Sequence, residues 1–155
     1  MRKDDVIKSI RYTLNVGDGE IAEILKLAGY KPTREEIAYI FEEPEEGKDK
    51  IDITHEMTAY FLDGLIYYKR GKSDKHPQQP IQTPVTNNMV MKKLRVAFTL
   101  REDDIQKIIK KAGFDISASE LNALFRNKNH RNYQPAGDQV LRYFLKGLAM
   151  TYRKE

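Results

Sequence analysis

The stretch Ile21-Ala-Glu-Ile24-Leu25-Lys-Leu-Ala28-Gly29-Tyr30 decides the fold, because it returns 84 residues later as Ile105-Gln-Lys-Ile108-Ile109-Lys-Lys-Ala112-Gly113-Phe114. Apolar residues at i, i+3, i+4 and i+7 lay one oily stripe along a helix. Acids precede each stripe, Asp18 and Glu20 in one copy and Glu102, Asp103 and Asp104 in the other. There they face the positive end of the helix dipole. Gly29 and Gly113 end the helix by taking the left-handed position after its last turn, and Tyr30 or Phe114 follows as the apolar residue that folds back on it.

The repeat extends in both directions. The same shift lays Ile10-Arg11 on Leu94-Arg95, Glu36 on Glu120 and Phe41 on Phe125; a shift of 83 lays Tyr60-Phe61-Leu62-Asp63-Gly64-Leu65 on Tyr143-Phe144-Leu145-Lys146-Gly147-Leu148. The chain divides into a first copy, residues 1–71, a linker, 72–86, and a second copy, 87–155. Pro77, Pro80 and Pro84 oppose both helix and central strand, so the linker is expected to be semi-extended.

Each copy reads as four helices. The first carries Val6, Ile7, Ile10 and Leu14, matched by Val90, Met91, Leu94 and Phe98. The third opens with a capping box, Thr33-x-x-Glu36 or Ser117-x-x-Glu120, and turns Ile37, Ile40 and Phe41, or Leu121, Leu124 and Phe125, to the core. The fourth is apolar on more than one face, with Met57, Tyr60, Phe61, Leu62 and Leu65 against Val140, Tyr143, Phe144, Leu145 and Leu148, and is expected to be the most buried. No stretch alternates as a strand does, so the fold class is all-α. A unit of this size supports only a marginal core alone. The copies are therefore expected to pack on each other with a pseudo-two-fold relation, through their fourth helices. Gly64 and Gly147 fall mid-helix, where Gly costs about 1 kcal/mol relative to Ala; a helix crossing too close for a side chain explains them.

Three phrases together resemble the YehS-like family of small bacterial proteins, a domain of unknown function. They are Asn87-Asn88-x-Val90-x-Lys92-Lys93-Leu94-Arg95-x-Ala97, Gly137-Asp138-Gln139-x-Leu141-Arg142-x-Phe144-Leu145-x-Gly147-Leu148, and Phe61-Leu-x-Gly64-Leu-Ile-Tyr-x-x-Arg70-Gly71-Lys72. The resemblance covers nearly the whole chain, both copies included, and implies a bacterial, helical tandem repeat with no activity to carry over. Tyr133-Gln134-Pro135-Ala136-Gly137-Asp138 departs from it, with Ala136 where the resemblance places Cys, so any role of that thiol is lost.

Composition excludes several classes. The longest uncharged apolar runs, Ala59 to Leu62 and Leu65 to Tyr68, fall far short of the about 20 residues of a membrane span. The basic start at Arg2 and Lys3 meets Asp4 and Asp5 before any apolar stretch, so no secretory signal is read and a cytoplasmic protein is expected. There is no Cys for a disulfide, thiolate metal site or nucleophile. His55, His76 and His130 form no i, i+4 pair, and no metal site is expected. No serine-nucleophile elbow, phosphate loop, calcium loop or dinucleotide fingerprint occurs, so no cofactor is expected and an enzyme is unsupported. A small-ligand or catalytic site in the groove between the copies is the weakest of three readings.

Arg11 and Arg95 sit at one repeated position beside the first-helix stripe. They are expected to bury their stems and pair with a carboxylate such as Asp63 or Asp138, in preference to holding a ligand. Other charges are not repeated. Residues 1–71 have 11 basic and 15 acidic groups, net −4, whereas residues 87–155 have 14 and 7, net +7. The difference concentrates between third and fourth helices, where residues 42–52 carry −4 and residues 126–136 carry +3. Arg126, Lys128, His130, Arg131 and Tyr133, with Lys92 and Lys93, are the candidate anion- or partner-binding residues. The expected function is a non-enzymatic interaction or regulatory module that binds an acidic protein surface through this basic second copy. The alternative is RNA or single-strand binding, phosphates on the cations and a base on Tyr133. The acidic and basic loops also offer a route to an oligomer or to pairing within one chain.

Overall fold

In the computed structural model the described residues, 1–73, 75 and 77–154, form eight helices and no strand. His76 lies outside them. The first copy supplies α1 (Lys3–Leu14), α2 (Asp18–Leu27), α3 (Arg34–Phe41) and α4 (His55–Arg70); the second supplies α5 (Asn87–Ala97), α6 (Glu102–Lys111), α7 (Ala118–Phe125) and α8 (Asp138–Tyr152). No helix among the described residues is long and apolar enough to cross a membrane.

The local signals act as the sequence implies. Glu36 N–H donates to Thr33 Oγ1 at 3.1 Å while Thr33 N–H donates to the Glu36 carboxylate at 3.0 Å, and Ser117 and Glu120 repeat the exchange at 3.0 and 3.2 Å. Gly29 and Gly113 adopt φ of 96° and 105°. The next residue then folds back: Tyr30 N–H reaches Leu25 O at 3.0 Å, and Phe114 N–H reaches Ile109 O at 3.2 Å. Each of those rings packs on a ring of the fourth helix, Tyr30 tilted against Tyr60 and Phe114 stacked on Tyr143, with centroids 5.6 and 5.1 Å apart.

Within each copy the fourth helix lies against the second, α4 on α2 and α8 on α6. The crossing passes through the mid-helix glycines. A Cβ on Gly64 would overlap the carbonyl of Ile24, and one on Gly147 would overlap the carbonyl and side chain of Ile108.

The fourth helices join the copies, and each takes the first helix of the other copy as its partner, α4 with α5 and α8 with α1. The physical reason is the fourth helix's second apolar face. One face is spent on the second helix of its own copy, and the stripe of Val6, Ile7 and Ile10, or of Val90, Met91 and Leu94, covers the other. These first-helix residues are at most 3% exposed.

Both pairs run parallel, tied start to start and end to end. The Met1 amino group donates to Asp138 at the start of α8, and Val85 N–H donates to His55 Nδ1 at the start of α4, 2.8 Å away. At the far ends Arg153 reaches the Tyr12 carbonyl and Arg70 the Val96 carbonyl. Met1 and Val85, Tyr12 and Val96, and Arg70 and Arg153 are equivalent under the repeat, so the relation is reciprocal.

The glycine crossing gives a test with an unusual sign. An exposed mid-helix Gly→Ala change should stabilise by about 1 kcal/mol. Here the added methyl meets backbone, so we expect Gly64→Ala and Gly147→Ala each to destabilise by about 1–3 kcal/mol in urea titration. A neutral or stabilising result would contradict the close approach.

Candidate functional site

Arg11 and Arg95 belong to the frame. Arg11 pairs with Asp18 at 3.0 Å and Arg95 with Glu102 at 3.5 Å, each across the bend between first and second helices. Their Nε atoms donate to Val16 O and Leu100 O, and their guanidinium groups lie 4.1 and 5.0 Å from the rings of Phe41 and Phe125. The paired carboxylates are thus not Asp63 or Asp138. Asp63 is taken by Lys93 at 2.7 Å, and Asp138 by the Met1 amino group and Asn87.

The basic loop is built from the end of α7 outward. Arg126 caps that helix, and the chain then turns on itself. His130 N–H donates to Asn127 O at 2.8 Å, Tyr133 N–H to His130 O at 3.0 Å, and Gln134 N–H back to Ala123 O at 3.1 Å. The Asn127 side chain accepts from Asn129 N–H, and His130 Nδ1 accepts from Asn132 N–H at 3.0 Å. His130 therefore serves its own turn. Below the loop sits Asn88 of α5, 5% exposed, whose amide donates to Leu124 O and Gln134 O at 2.9 Å and accepts from Ala136 N–H at 2.8 Å. One side chain fastens both ends of the loop.

The first copy performs the same fastening with charge. Asp4 occupies the position equivalent to Asn88 and is fully buried. A carboxylate cannot donate, so Lys50, its side chain 6% exposed, stands 3.4 Å from Asp4 and donates to Ile40 O at 3.1 Å, the equivalent of Leu124 O. Arg2 completes the neutralisation with two bonds to Asp4. Burial alone would raise the Asp4 pKa; the bonds and charge of Arg2, with Lys8 and Lys50, hold it below the usual carboxylate range.

The seven candidate residues do not form one site. Lys92, Lys93, Lys128 and Tyr133 line one cleft of about 700 Å³, closed on its far side by linker residues Ile81 to Pro84. Arg126 and Arg131 line another, of about 360 Å³, between α7 and the loop. Lys93 is partly spent on Asp63, while Lys92 and Lys128 are exposed. No ion pair joins residues 42–52 to residues 126–136 among the described residues; Lys48 pairs with Glu45, and Lys50 with Asp4. Sequence reasoning missed the linker wall and the part of Asn88. The second left a trace, because Asp4 and Asn88 sit at one repeated position in register with Ile7 and Met91 on the apolar stripe.

Residues 4–71 and residues 87–154 each match the family described as protein of unknown function (DUF1456). The chain belongs to this family. It is similar to the uncharacterized protein YehS of Escherichia coli (strain K12), with 41% identity over 151 residues, 96% of this chain and 95% of that one. No solved structure matches it. The DUF1456 unit occurs here in tandem, and the basic loop belongs to the second unit only: where it has Arg126, the first has Glu42.

Two outcomes follow for the buried pair. Asn88→Leu strands two carbonyls and an N–H, each costing about 1–3 kcal/mol when buried and unpaired. We expect that variant to be strongly destabilised or cleaved by protease within 126–136, and unaltered behaviour would show that Asn88 does not hold the loop. A carboxyl held below its unfolded value adds stability that is complete above that value, about 3.9 for Asp, and is lost as pH falls through the folded one. Stability should therefore drop below about pH 4, and Asp4→Asn should flatten part of that drop in urea titrations at stepped pH. Asp138, held low by the Met1 amino group, and Glu36, held low by Tyr30, contribute the remainder.

Proposed function

We propose that the protein is a cytoplasmic, non-enzymatic interaction module whose second repeat docks an acidic segment of a protein partner in the cleft between linker and basic loop. The observation that carries this reading is the convergence of Lys92, Lys128 and Tyr133 with Ile81, Pro84 and Met89 on one cleft that no carboxylate lines among the described residues. Cations answer acidic side chains, and the apolar wall answers an interleaved Leu or Phe, a mixture suited to a polypeptide more than to a phosphodiester chain. The loop is fastened before any partner arrives, which lowers the ordering cost of binding.

Fluorescence anisotropy with peptides that alternate Glu and Leu tests the reading against single-stranded oligonucleotides. The peptide should bind, and Lys92→Glu combined with Lys128→Glu should weaken it by at least about tenfold, or 1.4 kcal/mol. Tighter oligonucleotide binding whose log affinity falls steeply with log salt would replace the protein partner by a nucleic acid, and an unchanged affinity in the double variant would remove the cleft from consideration.

A further inference from the structure

The second cleft of the basic loop lies apart from the first and holds different chemistry. Arg126 reaches it from the end of α7 and Arg131 from the loop's apex, with Asn132 and Gln134 beside them. Neither guanidinium is ion-paired among the described residues, which is true also of Arg34, Arg70, Arg142 and Arg153, while Arg2, Arg11, Arg95 and Arg101 each have a carboxylate partner. Arg126 Nε is buried and has no hydrogen-bond partner among the described residues. A covered donor without an acceptor is rare and calls for an explanation. No hydrogen bond holds Nε in that seat among the described residues, so a turn of the side chain toward the cleft it lines would exchange an unpaired donor for one that an incoming acceptor satisfies.

The electrostatics narrow the ligand. Glu120 also lines the cleft, with one carboxylate oxygen engaged by Ser117 N–H at 3.2 Å, so two guanidinium groups and one carboxylate leave a net charge of +1. A volume of about 360 Å³ admits a small group. Planar guanidinium groups bind tetrahedral oxyanions through paired N–H donors. The loop is already fixed by Gln134 N–H on Ala123 O and by the Asn88 amide, so little order remains to be imposed on the backbone that carries Arg131.

We propose that the cleft between α7 and the basic loop binds a single phosphate group, free or carried by a small molecule, with Arg126 and Arg131 as its ligands. The site does not rest on a protein partner in the lysine cleft. Titration of the full chain with inorganic phosphate, followed by the 15N–1H signals of the arginine Nε groups, tests it against chloride at equal ionic strength. A phosphate monoester such as glycerol phosphate forms the second arm, separating a free anion from a carried group. The Arg126 and Arg131 signals should shift saturably with phosphate and not with chloride. Arg131→Gln, at an exposed position, should weaken binding at least tenfold while leaving the thermal transition unchanged, and Arg126→Lys should weaken it less than Arg126→Gln. Lys92→Glu with Lys128→Glu, which disables the other cleft, should weaken phosphate binding less than Arg131→Gln does. Shifts linear in concentration, shifts matched by chloride, or equal affinity in Arg131→Gln would overturn the proposal.

Discussion

The structure depends on the reciprocal docking of each first helix on the other copy's fourth helix. A four-helix unit of about 70 residues has too little interior to stand comfortably alone, and its fourth helix is apolar on two faces. Only one is covered within the copy. Exchanging first helices covers the other face twice over and merges two marginal cores into one cluster running from Val6 to Leu148. Because α4 and α5 run parallel, the chain leaving α4 must return along its whole length before α5 starts. Sixteen helical residues rise about 24 Å, and a 15-residue extended linker reaches roughly twice that. The linker crosses the molecule, with Gln78 donating to the Ala28 carbonyl at 2.7 Å, and so comes to wall the lysine cleft. Domain docking and site geometry share one cause.

Much of the frame was legible because it rests on local rules that the duplication states twice. The stripe at Ile21 and Ile105, the stop at Gly29 and Gly113, and the boxes at Thr33 and Ser117 each need only a few neighbouring residues. The helical glycines were legible as close approaches but not as to their partner, since Ile24 and Ile108 lie 40 and 39 residues away in sequence. Which helix covers which was not legible, because the fourth helix's second apolar face fits any stripe. The same limit applies to the site. Composition marked the basic loop, but only the fold separates Lys128 and Tyr133 from Arg126 and Arg131, which line different clefts.

The partners of the repeated arginines show how a correct role can carry a wrong contact. Arg11 and Arg95 are structural, as position beside the stripe implied, yet Asp63 and Asp138 lie on fourth helices that cross to the other copy. The acids that reach the arginines are those placed at the starts of α2 and α6 for the helix dipole. One carboxylate thus serves both the helix end and the bend before it, at Asp18 and at Glu102.

One buried position decides how the cations of each loop are used. In the first copy that position is Asp4, and a buried carboxylate must be neutralised or its burial is costly. Lys50 is drawn inward for this purpose together with Arg2, which leaves the outer part of residues 42–52 with its acids in excess. In the second copy the same position is Asn88, whose amide carries its own donors and acceptor and needs no cation. Lys128 and Arg131 therefore stay exposed, and with Arg126 they line the two clefts. An amide in place of a carboxylate beneath the loop thus decides whether cations of that loop hold the fold together or remain available to an anion from outside.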